Sequence, residues 1–163
     1  MTWTREMELA TAADTHALGV ALGRRLRAGD LVILSGALGA GKTALTKGIA
    51  EGMGVIGLVT SPTFVLARVH RPAVSGAPDR AAGTTLVHVD AYRLGGALEL
   101  EDLDLDTDLT AAAVVIEWGE GVAEQLADDR LTVELTRLPD DRRTAVLTGT
   151  GAGWAERLRD LIG

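Results

Sequence analysis

The 163-residue chain contains no cysteine and no asparagine, and only two lysines, Lys42 and Lys47, against fourteen arginines. Without cysteine it forms no disulfide, no thiolate metal site and no thiol nucleophile. Without asparagine it has no Asn-Lys-x-Asp segment of the kind that reads guanine in GTPases. No apolar run approaches the ~20 residues a membrane span needs. Met1 to Glu6 lacks the apolar core of an export signal, so a cytoplasmic protein with no membrane contact is expected. The net charge is -7. An acidic chain repels phosphate backbones, so unaided nucleic-acid binding is not expected either.

What is present is the balance of a soluble globular domain, 47% hydrophobic and 24% charged, with no internal repeat and no linker that would divide residues 1–163. Met7 to Leu9 reads as a short strand. Thr11 or Asp14 suits the N-cap of a helix from Ala12 to Leu26, on which Leu18, Ala21, Leu22 and Leu26 recur at helical spacing. Leu31 to Leu34 is a continuous apolar run, as in a strand buried on both faces. A helix from Thr43 to Met53 follows, closed by Gly54. Further strands are predicted at Phe64 to His70, Thr85 to Val89, Ala113 to Ile116, Leu131 to Leu138 and Thr144 to Thr148, the last two forming a hairpin. Short helices are predicted at 97–108 and Gly121 to Ala127, and a terminal amphipathic helix at Trp154 to Ile162. Residues 71–83, rich in Pro, Gly, Ala and Ser, read as an exposed flap. The fold class is α/β: a single P-loop NTPase domain, with a mixed central sheet and helices on both faces.

The strongest chemical signal is Gly36-Ala37-Leu38-Gly39-Ala40-Gly41-Lys42-Thr43, a full match to G-x-x-x-x-G-K-[ST] between a buried strand and a helix. Glycines let backbone N–H groups turn inward around phosphates. The start of the next helix, through Ala44, adds unpaired N–H groups and a positive dipole end. Lys42 would reach the β- and γ-phosphates of a nucleoside triphosphate, and the Thr43 hydroxyl would ligate magnesium.

Such a loop needs an acidic residue at the end of a neighbouring buried strand. Leu86-Val87-His88-Val89 ends on Asp90, and Val114-Val115-Ile116 ends on Glu117. Both would sit at the carboxyl edge of the sheet, and the residues alone leave open which one meets the cation. Ser61-Pro62-Thr63 is a candidate switch segment whose hydroxyls approach the γ-phosphate. His88 points to the opposite face of its strand from Val87 and Val89 and could approach the site, with a structural histidine the preferred reading, while His16 and His70 show no partners in the sequence. Trp154 reads as ordinary helix packing. ATP hydrolysis is the expected activity, with a small-molecule P-loop kinase as the alternative. Only Arg71 and Arg80 lie in the flap, which argues against an Arg-rich kinase lid.

Four ordered motifs, the phosphate loop, Ser61-Pro62-Thr63-Phe64, His88-Val89-Asp90-Ala91-Tyr92-Arg93-Leu94 and Ile116-Glu117-Trp118, resemble the bacterial TsaE family, formerly called YjeE. The resemblance spans nearly the whole chain. It implies an ATPase required for threonylcarbamoyladenosine at position 37 of tRNA, slow alone, stimulated by the partners TsaB and TsaD, and meeting tRNA only through that complex. It assigns Thr43 and Glu117 as magnesium ligands and Asp90 to hydrolysis. Thr63 falls in the switch-like segment and Trp118 beside the magnesium carboxylate, while Thr11 and Arg143 fall near the nucleotide. Two departures stand out. Ala37 replaces a common aspartate, which implies tuned rather than lost binding, and the flap at 71–83 is longer, which leaves its partner contacts open.

Overall fold

The computed structural model describes residues 2–36, 40–55, 67–70, 85–90, 112–117, 129–140, 142–151, 153–159 and 161, with backbone alone at 67–70 and 90. Their elements are β1 (Thr2–Leu9), α1 (Ala12–Gly23), β2 (Leu31–Ser35), α2 (Lys42–Met53), β3 (Ala67–His70), β4 (Thr85–Asp90), β5 (Ala112–Glu117), β6 (Arg130–Arg137), β7 (Arg143–Thr150) and α3 (Trp154–Arg157). The strands form one mixed sheet in the order β1-β7-β6-β2-β5-β4-β3. β6, β2, β5 and β4 are parallel, whereas β1, β7 and β3 pair antiparallel. Every residue of β2 and β5 is buried, as their unbroken apolar runs require of central parallel strands.

The register gives each sheet face its own set of side chains. Val32, Leu34, Ala113, Val115, Leu131, Val133, Leu135, Ala145 and Leu147 share one core with Leu18 and Leu22 of α1 and with Leu45, Ile49 and Met53 of α2. Leu31, Ile33, Val87, Val89, Val114 and Ile116 point to the opposite face and are equally buried. Among the described residues, the helices lie on the first of these faces. Those expected at 97–108 and 121–127 lie outside the described residues.

Helices α1 and α2 are joined through glycine. A methyl group added at Gly19 would lie 2.3 Å from the Leu45 carbonyl oxygen, and one at Gly23 2.2 Å from that of Ile49. Reciprocally, one at Gly48 would lie 2.3 Å from the His16 oxygen and one at Gly52 2.2 Å from that of Val20. Two Gly-x-x-x-Gly faces therefore bring the helix backbones into contact, closer than any side chain permits. This packing also gives His16 a partner: its Nε2 lies 2.5 Å from Glu51 Oε2.

The largest differences from the sequence reading are in β1, α1 and the terminal helix. β1 runs from Thr2 rather than Met7. As an edge strand it fully buries only Met7 and Leu9. In its first half Trp3 alone packs on the core, partly buried, too little pattern to mark a strand, and pairing with β7 sets it. α1 stops at Gly23, after which the Arg24 N–H donates to the Val20 oxygen at 3.1 Å and the Arg25 N–H tightens to the Leu22 oxygen at 2.9 Å. β3 is described over Ala67–His70, and residues 64–66 of the expected strand lie outside the described set.

The terminal helix is a single turn, Trp154–Arg157. Arg157 Nη2 donates to Asp30 Oδ2 at 2.5 Å and to the Arg25 oxygen at 2.7 Å, and its Nη1 donates to Asp30 Oδ1 at 3.0 Å. The Arg157 guanidinium also stacks 4.2 Å over the Trp154 ring. That clamp holds the turn, after which Leu158 and Leu161 drop into the core. Trp154 packs on Gly149, where an added methyl would meet its Cβ at 2.5 Å. With both members of the Arg157–Asp30 pair mostly buried, Asp30→Ala is expected to lower stability by about 2 kcal/mol in urea denaturation, by stranding the guanidinium. At the β6–β7 turn, by contrast, Arg142 holds the exposed Asp140 carboxyl below the usual carboxylate range. The small stabilisation from that pair is present above the ordinary carboxylate pKa and fades as pH falls through the lowered value.

Candidate functional site

The carboxyl ends of the parallel strands define one edge of the sheet, and the candidate residues converge there. β2 runs through Ser35 into Gly36. Leu34 is in register with Glu117, and Glu117 with Asp90, so the phosphate loop and both strand-terminal acids occupy three adjacent strand ends. β7 runs antiparallel, so its first residue, Arg143, lies at the same edge. Arg143 is in register with Leu9, the last residue of β1, and α1 starts beside it.

The glycines that bound the loop are required by backbone geometry. Gly36 has φ 140°, and a methyl there would strike the Leu135 carbonyl oxygen at 2.5 Å. Gly41 has φ 111° and is the N-cap of α2, with no side-chain capping bond. The first-turn N–H groups of α2 are therefore not taken up by a side-chain cap, as an anion-binding helix start requires. Lys42 is buried, and its Nζ donates to the Gly36 oxygen at 2.7 Å, which folds the ammonium back over the loop. Ala40 is buried against the core beneath it. Thr43 and Ala44 are partly exposed on the first turn of α2.

Arg143 is brought to the loop. A methyl at Gly41 would come 3.7 Å from Arg143 Nε and 3.5 Å from the Thr15 methyl. Thr11 caps α1. Its hydroxyl accepts from the Asp14 N–H at 3.2 Å while Asp14 accepts from the Thr11 N–H at 3.0 Å, a reciprocal capping box. Thr15, one turn further on, is the α1 residue against the loop. The sequence reading missed it, and the only available cue was its position one turn after the cap.

Glu117 is 3% exposed, and His88 on β4 is fully buried. His88 Nε2 lies 2.5 Å from Glu117 Oε2. The two face the same side of the sheet, because His88 pairs with Val115 and Glu117 follows two residues later. The histidine read as structural therefore holds the candidate metal carboxylate. Leu38, Gly39, Thr63, Trp118 and the Asp90 side chain lie outside the described residues. A groove of about 670 Å³ lies elsewhere, between β1 and the outer face of α1, lined by Leu9, His16, Ala17 and Val20 among others. It includes neither the loop nor the two strand-terminal acids.

The fold and this edge define a mixed α/β protein with a lysine-bearing glycine loop beside two strand-terminal carboxylates. The family profile described as "Threonylcarbamoyl adenosine biosynthesis protein TsaE" matches residues 9–145. The tRNA threonylcarbamoyladenosine biosynthesis protein TsaE of Streptomyces coelicolor is 54% identical over 143 residues, covering 85% of this chain and 92% of that one. The Bacillus subtilis protein of the same name is 36% identical over 139 residues, with coverages of 85% and 81%. The crystal structure of Bacillus subtilis YdiB aligns with a TM-score of 0.76 at 27% identity, covering 99% of this chain and 95% of that one. The chain belongs to the TsaE family of tRNA threonylcarbamoyladenosine biosynthesis proteins.

Proposed function

We propose that residues 1–163 form one P-loop ATPase domain that binds and hydrolyses ATP in the cytoplasm, in support of threonylcarbamoyladenosine formation at position 37 of tRNA. In this reading it acts with TsaB and TsaD homologues and meets tRNA only through them. One observation carries the proposal: Lys42 and the start of α2 share a sheet edge with Glu117 and Asp90, on adjacent strands.

Each residue then has a task. The first-turn N–H groups of α2 and Lys42 bind the β- and γ-phosphates, with Lys42 exchanging its Gly36 carbonyl for phosphate oxygens. Arg143, beside Gly41, adds positive charge at the rim. Thr43 and Glu117 supply hard oxygen donors, which fit magnesium. No group of three His, Cys, Asp or Glu is gathered among the described residues, and a cation that also takes phosphate and water ligands needs no such cage. Magnesium, when bound, offsets the charge developing on the phosphates. Asp90 orients the attacking water, with Thr63 and Trp118 closing the site. Its replacement by alanine is accordingly expected to lower turnover more than affinity. The -7 charge supports leaving tRNA to the partners, since it opposes direct contact with a polyanion.

The test measures phosphate release by the chain alone and with TsaB and TsaD homologues from the same source. Slow release alone and a clear rise with the partners is expected. Partners that neither bind nor stimulate would contradict it. Phosphate appearing on a small metabolite instead of in solution would favour the kinase reading.

A further inference from the structure

We infer that His88 is a positioning residue, one that fixes the Glu117 carboxylate for the cation without touching nucleotide itself. The inference rests on the Mg·ATP reading above and adds a residue to it.

A carboxylate only accepts hydrogen bonds, so the 2.5 Å contact between His88 Nε2 and Glu117 Oε2 requires the hydrogen on Nε2. Glu117 is 3% exposed and His88 is 0% exposed. In that setting the carboxylate has little water to satisfy it, and a lost donor costs more than at the surface. Nothing in the strand geometry alone demands a histidine. β4 is otherwise apolar along this stretch, with Leu86 preceding His88 on the same face and Val87 and Val89 on the other. A leucine or valine would extend the same core. The histidine instead reaches diagonally across the β4–β5 seam to the last residue of β5 and stops its side chain from rotating.

The consequence follows from how a carboxylate divides its lone pairs. With Oε2 held by His88, Oε1 is left to meet a ligand at the sheet edge, on the strand next to β2 and its phosphate loop. A monodentate ligand fixed in this way suits magnesium, which demands near-octahedral geometry. Partners of this outer shell typically contribute ten- to hundredfold in metal affinity.

The experiment titrates magnesium into the full chain saturated with a non-hydrolysable ATP analogue, and separately measures analogue affinity in EDTA. His88→Leu removes the donor while keeping an apolar core. His88→Gln retains an amide N–H close to the Nε2 position, and His88→Asn withdraws the donor by one bond. His88→Leu is expected to weaken magnesium about tenfold, with affinity in EDTA changed less than about twofold. His88→Gln should restore most of the loss, and His88→Asn should not. Should His88→Leu fail to fold, the Gln and Asn variants, both able to satisfy a buried polar site, still give the ranking.

Magnesium affinity within about twofold of wild type in both His88→Leu and His88→Asn would overturn the inference. So would equal losses in Gln and Asn, which would mark His88 as a packing residue. A wild-type protein that binds the analogue identically with and without magnesium would overturn the magnesium reading itself. That outcome is read from the wild type, before any variant is compared.

Discussion

Lys42→Ala is expected to weaken ATP binding by at least about a hundredfold while leaving the ligand-free protein folded. The side chain is a buried ammonium, folded over its own loop, with its one charge within reach of the site where phosphates would sit. Charge-assisted bonds to the β- and γ-phosphates contribute roughly 1.5 to 3 kcal/mol each. Two such bonds total at least about 3 kcal/mol, and a hundredfold change in affinity is about 2.8 kcal/mol. In the ligand-free protein the ammonium donates to the Gly36 oxygen at 2.7 Å, and losing that bond from an ionised donor costs about 1.5 to 3 kcal/mol, less than the stability of a domain of this size. Calorimetry and urea denaturation on the same variant separate the two effects. An affinity within threefold of wild type would show that the loop does not grip phosphate through this lysine.

Gly48→Ala is expected to destabilise the protein by about 3 kcal/mol or more, lowering the melting temperature by about 6–12 °C for a domain of this size. Propensity alone predicts the opposite sign, since Gly to Ala in an exposed helix interior stabilises by about 1 kcal/mol. The difference lies in what the new methyl meets. At 2.3 Å it would strike the His16 carbonyl oxygen, with the Gly19 Cα at 2.9 Å. Both are backbone atoms and cannot rotate aside, so α1 and α2 must separate along their length. Gly19→Ala presses the same seam from the other side, 2.3 Å from the Leu45 oxygen, and should behave alike. Because α2 starts at the phosphate loop and α1 sets Thr15 against Gly41, nucleotide affinity should fall with stability. A melting temperature unchanged or raised in Gly48→Ala would show the contact to be relieved at no cost.

The parts of this architecture that show in the sequence are those decided by neighbouring residues. Leu31 to Leu34 reads as a buried strand because four consecutive apolar side chains fit no amphipathic surface. Gly54 reads as a helix end, and adopts φ 72° there. Thr11 and Asp14, read as rival caps, prove to be the two halves of one capping box. The motif placed Lys42 and Glu117 at the right edge, because strand ends and loop share the carboxyl side of a parallel sheet.

What did not show depends on residues far apart in the chain. The Gly19, Gly23, Gly48 and Gly52 seam pairs two helices, and on either helix alone its glycines look like weak helix formers. The first half of β1, residues 2–6, has one core-packing side chain, Trp3, and is held by β7, nearly the whole chain away. His88 and Glu117 are separated by 29 positions. Only the β4–β5 register places one diagonal to the other; strand alternation sets His88 on the face away from Val87 and Val89 but does not name its partner. The terminal helix is shorter than its apolar spacing implies: past Arg157 the backbone turns to i→i−3 bonds, Arg159 N–H to Glu156 and Leu161 N–H to Leu158.

The central claim is that the edge formed by Gly36 to Thr43 and Glu117 binds a nucleoside triphosphate together with magnesium. Calorimetric titration of ATP into the full chain, with magnesium and then with EDTA, addresses it most directly. One-to-one binding that tightens at least about tenfold with magnesium, and loses that gain in Glu117→Ala, is the predicted result. No measurable ATP binding, or binding indifferent to both magnesium and Glu117, would contradict it.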